Sequence, residues 1–166
     1  MFKKSNRDRV SKIIESNLDY LVRFAYFRLG NRAEAEDLVY DAILKFLEKD
    51  SEDIKPRSVR LYLFRIVYNL CQDKIQTEKI NLTLNENLNL EDFAEEPLDL
   101  EEADRINSYL ESLDPREGEI IRMNVIDNLS FVEISNILGI PQSTAKSRYK
   151  AGMERLRKLF FNDKMS

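Results

Sequence analysis

Between Ser130 and Lys158 the residue pattern describes two short helices around an enforced turn, followed by a run of positive charge; no other stretch restricts the fold as much. Ser130 with Glu133 three residues on has the form of a capping box, in which each side chain satisfies a backbone N–H that the first turn of a helix leaves orphaned. The apolar positions that follow, Val132, Ile134, Ile137 and Leu138, give this helix one face to bury. Gly139 then stands where a helix ends in the left-handed region, which a residue without a Cβ enters at no steric cost. Pro141 suits the start of a second helix. Beyond it, Gln142, Ser143, Thr144, Lys146, Ser147, Arg148 and Lys150 fall on outward positions, and they combine groups that read base edges with cations that hold phosphates. The spacing predicts a helix-turn-helix with the second helix as its reader, Gln142, Ser143 and Lys146 lying deepest.

A helix, a glycine and a helix with a solvated basic face also occur in small bundles, so the distribution of charge decides between the two readings. Residues 141–166 hold seven Lys and Arg against two acids, a local net of +5 in a chain whose formal net charge is -4. Solvation needs no such segregation, whereas a polyanionic partner does. Asn81 to Asp104 holds nine acids and no Lys or Arg, so everything outside it sums to +5. That acidic segment is rich in Asn, Leu and Glu and lacks clear helical caps, which predicts a tethering linker. It is either a solvated loop or a polyanionic strand that fills a basic groove until nucleic acid displaces it.

Upstream of the linker the apolar residues recur at helical spacing. Leu18, Leu21, Val22, Ala25, Tyr26 and Leu29 form one stripe that stops at Gly30. Asn31 with Glu34 repeats the cap pattern and opens a helix to about Glu48, with Ala35, Leu38, Val39, Ala42, Ile43, Phe46 and Leu47 as its apolar set. A polar loop from Lys49 to about Ser58 precedes a helix near Val59 to Lys79 that turns Leu63, Ile66, Val67 and Leu70 inward. After the linker, Asp114, Pro115 and Glu117 supply a cap, a first-turn proline and a box partner before Ile120, Ile121 and Val125. No alternating strand pattern competes. The expected fold is all-α: a helical domain over residues 1–80, an acidic linker over 81–101, and a helix-turn-helix domain over 102–166.

Composition removes most chemistry. With no His and a single cysteine, Cys71, the chain has no His ligand set, no CxxC and no Cys–His pair, so neither catalytic residues nor a metal or other cofactor are expected. Cys71 reads as a small buried hydrophobe. No apolar run approaches the roughly 20 residues of a membrane span, and MFKKSNRDRV lacks the apolar core of a signal peptide, which predicts a cytoplasmic protein without membrane insertion. In that setting the acceptor patterns at Asn81 and Asn128 are chance matches.

Two separated blocks then resemble one family. Glu34-Ala35-Glu36-Asp37-Leu38-Val39, followed by Tyr62-Leu63-Phe64-Arg65-Ile66-Val67-Tyr68-Asn69 and Asp73, resembles the second conserved region of bacterial sigma factors. Leu113-Asp114-Pro115-Arg116-Glu117, Glu133-Ile134-Ser135, Leu138-Gly139-Ile140-Pro141 and Thr144-Ala145-Lys146-Ser147-Arg148 resemble the fourth. With only these two regions and a short linker, the chain is similar to the extracytoplasmic-function (ECF) group. The resemblance implies a non-catalytic factor that binds core RNA polymerase, reads two promoter elements and helps to open the downstream one. It implies a polymerase interface at Asp37, Leu38, Tyr40 and Asp41, although acids early in that helix also favour its own dipole. It places downstream-element contacts at Arg60, Arg65, Asn69 and Lys74, upstream-element contacts on the second helix of the helix-turn-helix, and an anti-sigma or other regulatory protein among the partners.

The departures are specific. Tyr62 stands for the family's usual tryptophan and Tyr40 for its common glutamine, while Ser135 and Ala145 replace the usual alanine and valine. The stretch Asp73 to Lys79 is much less basic than is usual for the family. That weakness motivates an alternative function, a sigma-like protein that sequesters a regulator without initiating transcription.

Overall fold

The computed structural model describes residues 2–49, 54–80 and 100–165, and among these every regular element is helical. Helix α1 (Phe2–Leu29) ends where Gly30, at φ 77°, donates its N–H to the Tyr26 carbonyl at 2.8 Å. Asn31 then opens α2 (Arg32–Lys49), its Oδ1 accepting the Glu34 N–H at 3.1 Å. The carboxylate of Glu34 lies 3.7 Å from Lys74 Nζ on α3 (Pro56–Ile80), an interhelical pair. These three helices pack against one another. Phe24 and Ala25 from α1, Val39, Ala42 and Phe46 from α2, and Leu63, Phe64, Val67 and Cys71 from α3 are fully buried, with Phe24 edge-on to Phe64 at 5.3 Å. Burial of the lone thiol agrees with its reading as a hydrophobe. Leu47 does not join this core and is 45% exposed.

The other unit is built from α4 (Leu100–Glu111), α5 (Pro115–Ile121), α6 (Phe131–Leu138) and α7 (Gln142–Met165). The described residues thus fall into two compact units, α1–α3 and α4–α7. Helix α4 starts at Leu100, inside the stretch expected to be linker, and residues 81–99, with both readings of that linker, lie outside the described residues. Asp114 caps α5 by accepting the Arg116 N–H at 2.9 Å. Glu117 is not the returning half of a capping box, because its carboxylate accepts from Arg155 Nη1 on α7 at 3.1 Å. Two glycines permit the close packing. A Cβ on Gly118 would fall 2.9 Å from the Leu110 carbonyl oxygen, and one on Gly152 would fall 2.6 Å from Ile121 Cδ1 and 3.2 Å from Glu117 Cβ.

Helix α5 continues into a π turn at Arg122–Ile126, marked by the Asp127 N–H donating to the Arg122 carbonyl at 3.1 Å. This turn corrects the expected core. In an α-helix Val125 would lie below Ile121, but the wider turn inserts one residue, so Ile126 faces inward at 3% exposure and Val125 outward at 39%. Arg122 anchors the same turn, its Nε donating to Asn107 Oδ1 at 2.7 Å and its Nη1 to Glu119 Oε2 at 3.0 Å. The core of this unit is Leu110, Ile120, Ile121, Met123, Ile126, Leu129, Ile134, Ile137 and Ala145. Val132, expected on the buried face of α6, is 51% exposed.

The π turn sets a stability contrast between adjacent residues. Ile126→Ala should destabilise the C-terminal unit by about 2–5 kcal/mol, whereas Val125→Ala should stay within roughly 0.5 kcal/mol of wild type. Urea unfolding followed by circular dichroism measures both, and equal losses would contradict the register.

Candidate nucleic-acid interface

The helix-turn-helix is assembled almost entirely by local bonds. At its start Ser130 Oγ accepts the Glu133 N–H and Glu133 Oε1 accepts the Ser130 N–H, both at 3.1 Å, so the capping box is complete. At its end Gly139 lies in the left-handed region at φ 67°, ψ 36°, and the Ile140 N–H reaches back to the Ser135 carbonyl at 3.1 Å. Pro141 sits one position earlier than the first helical residue: its carbonyl accepts the Ala145 N–H at 3.1 Å, and α7 begins at Gln142. A proline there costs nothing, because its missing N–H has no helical acceptor at that position.

One stripe of α7 is committed to packing. Ala145 and Gly152 are buried, Tyr149 and Leu156 half-buried, and the Tyr149 ring meets Phe131 of α6 edge-on at 5.2 Å. The spacing of these four residues is that of one helix face. The opposite side carries the expected readers: Gln142, Ser143, Lys146, Ser147 and Lys150 are all exposed, while Thr144 and Arg148 are half-buried on the flank. Five of the seven expected contacts therefore form a continuous outward strip along the first turns, and two lie at its margin. Hydroxyl and amide groups at the start of the strip, with cations farther along, match a helix that offers its N-terminal end to base edges and its body to phosphates.

In the N-terminal unit the expected polymerase contacts divide. Asp37, Tyr40 and Asp41 are exposed, Tyr40 at 54%, whereas Leu38 turns inward at 7% and belongs to the core. Leu44, 56% exposed, and Leu47 extend the same outer face, and neither was expected there. The signal lay in the apolar set of α2, which is too large for one stripe: a second one, Tyr40, Leu44 and Leu47, runs along the solvent side beside Asp37 and Asp41.

The four residues expected at the downstream element do not gather on one side of α3. Arg65 and Asn69, four apart, are exposed on one face. At 100° per residue Arg60 and Lys74 lie on a roughly opposite face. There Arg60 Nε donates to Asn17 Oδ1 of α1 at 3.1 Å and its guanidinium lies 5.2 Å from the centre of the Phe64 ring, and Lys74 pairs with Glu34. Arg60 and Lys74 are thus engaged in holding the three helices together.

Comparison with known proteins fits both units. Residues 13–79 match Sigma-70 region 2, and residues 109–158 match Sigma-70, region 4. The ECF RNA polymerase sigma factor SigW of Bacillus subtilis is 31% identical over 171 aligned positions, covering 94% of this chain and 91% of that protein. The RNA polymerase sigma factor SigZ of the same organism is 29% identical, covering 80% and 76%, and the ECF factor BldN of Streptomyces coelicolor is 23% identical, covering 94% of this chain and 62% of its own length. Among solved structures, the sigma factor RpoE of Bartonella quintana, crystallised with the anti-sigma factor NepR, has a TM-score of 0.65 at 21% identity with 96% of each chain covered. CnrH in complex with the cytosolic domain of CnrY gives 0.65 at 20% identity, covering 93% of this chain and 88% of CnrH, so these two support the helical fold. With region 2 and region 4 both present, in order, and a relative of this identity matched over nearly its full length, the chain belongs to the extracytoplasmic-function sigma factors of bacterial RNA polymerase.

Proposed function

We propose that this sigma factor directs initiation by dividing the work between two surfaces, with α7 reading the upstream promoter element and the outer face of α2 docking on core polymerase. The observation that carries the first half is the outward strip from Gln142 to Lys150, opposite a buried stripe that fixes the helix in place. Gln142, Ser143 and Lys146 reach base edges, and Arg148 and Lys150 hold phosphates, with Thr144 and Ser147 supporting from the same helix. On α2, Asp37 and Asp41 flank an apolar line of Tyr40, Leu44 and Leu47, a combination that supplies anchors and charge selectivity to a protein interface. Leu38 supports that face from beneath.

At the downstream element Arg65 and Asn69 face the displaced strand, while Arg60 and Lys74 act chiefly by fixing α3 against α1 and α2. The bond-making chemistry of transcription belongs to the polymerase, and this protein supplies recognition and positioning without catalytic residues. A regulatory partner of the anti-sigma kind is part of this reading, supported by RpoE and CnrH, the first crystallised with NepR and the second with the cytosolic domain of CnrY. Among the described residues no helix is long and apolar enough to cross a membrane, which supports a cytoplasmic factor. The alternative, a sigma-like protein that sequesters a regulator, draws on the weakly basic end of α3 and on Lys74 being paired with Glu34. Run-off transcription with purified core polymerase separates the two, a promoter-dependent transcript being expected.

The two classes of contact on α7 have different signatures. Lys150→Ala should weaken binding to every duplex and lower the salt slope by about 1, whereas Gln142→Ala should cost about 1–3 kcal/mol on the preferred element alone. Fluorescence anisotropy over a salt series measures both, and identical behaviour of the variants and wild type would sink the assignment. On α2, Tyr40→Ala should reduce affinity for core polymerase with little change in unfolding midpoint, while Leu38→Ala should cost about 2–5 kcal/mol of stability. Pull-down of core polymerase alongside thermal unfolding checks this pair, and normal binding by the Tyr40 variant would remove α2 from the interface.

A further inference from the structure

Helix α7 is held to α5 at two adjacent points beyond the strip from Gln142 to Lys150. The first is Gly152, where the α7 backbone comes so close to α5 that a Cβ would meet Ile121 and Glu117. The second lies almost one turn farther along, where Arg155 Nη1 donates to Glu117 Oε2 at 3.1 Å, linking positions 38 apart in the chain. The two partners differ in exposure: the Arg155 side chain is 59% exposed and that of Glu117 only 13%. A carboxylate so enclosed is left poorly compensated when its counter-charge is removed.

The lever arm gives this pair its consequence. Gln142 and Lys146 precede Gly152 by ten and six residues, or about 15 and 9 Å of helix at 1.5 Å per residue. A tilt of about 10° at the glycine would move the reading end by about 2 Å, enough to take a hydrogen bond from good geometry to none. Near that end the contacts holding α7 are apolar, namely Ala145 in the core and Tyr149 against Phe131. Such contacts are non-directional and fix an angle less sharply than a charged hydrogen bond does.

We infer that Arg155 and Glu117 are positioning residues that set the angle of α7 on α5, and so determine how sharply the protein discriminates its upstream element. Arg155 sits in the basic run of α7, which makes it look like one more phosphate contact. Its guanidinium is instead shared with Glu117, and the counter-charge cancels most of what Arg155 would add to attraction for DNA. The inference rests on α7 being the reader, and its test keeps the two claims apart.

The probe is a duplex enriched from a randomised library by the full-length chain itself, compared with its scrambled counterpart. Anisotropy over a salt series gives affinities, and thermal unfolding controls for stability. Glu117→Gln, Arg155→Gln and the double variant should each lower the ratio of specific to scrambled affinity by about five- to tenfold, the double no more than either single, because one substitution already removes the link. In Arg155→Gln and the double variant the salt slope should stay as in wild type. Arg155→Lys, which keeps the charge without the planar fork, should recover part of the ratio. A slope reduced by about 1 in Arg155→Gln, with Glu117→Gln indifferent, would make Arg155 a phosphate ligand and overturn the inference. So would a lowered unfolding midpoint with an unchanged ratio, which marks a merely structural pair. Failure to enrich any duplex, or an enriched duplex indifferent to Gln142→Ala, would overturn the reading of α7 and this inference with it.

Discussion

The carbonyl oxygen of Leu110 stands where a side chain at position 118 would have to go, only 2.9 Å from a Cβ built there, and a backbone oxygen inside a helix cannot step aside. That contact puts α5 directly against α4. On another side α5 meets α7, where Gly152 removes the equivalent obstacle. A seven-residue helix is too short to be stable alone, so α5 exists because neighbours press on it. The exposed strip of α7 is presented from this arrangement, since helices that approach so closely have little freedom to slide. The helix-turn-helix is therefore a surface feature whose geometry is decided one layer deeper.

The N-terminal unit meets a different demand. It exposes one apolar line on α2 and buries a second on the same helix, with Asp37 and Asp41 beside the outer one. Its cations follow the same economy. Arg60 spans from α3 to α1 and Lys74 from α3 to α2, so two positive charges of α3 hold the bundle together. Such bonds add to a modest core, because small domains bury less of their apolar surface than large ones.

How much of this was legible in the sequence depended on whether the signal was local. The capping box at Ser130, the left-handed Gly139, the Asn31 and Asp114 caps and the burial of Leu63 and Val67 on α3 are decided within a few residues and could be read from spacing, whereas Ile66 and Leu70, expected beside them, are half-buried and Phe64, not expected there, is fully buried. Where a side chain had a distant competitor, local rules failed. Glu34 and Glu117 look like box partners, yet each is held by a cation from another helix, Lys74 in one case and Arg155 in the other. The π turn defeated periodicity, since nothing in Arg122 to Ile126 announces an extra residue. Leu38 could not be assigned because α2 carries apolar residues on two faces, and only packing shows which face is covered. The early part of α1 was readable in principle: Val10, Ile13 and Ile14 continue the stripe of Leu18 and Leu21, and Val10 is buried.

The π turn also bears on how α6 and α7 keep their places after α5. In a regular helix one extra residue rotates everything after it by about 100°, which here would swing α6 and α7 away from the faces they pack on. A single wide turn confines that rotation to five residues, and Arg122, held by Asn107 and Glu119, pins its start. The wide turn is thereby accommodated locally, with Val125 left facing solvent and the packing of α6 and α7 preserved.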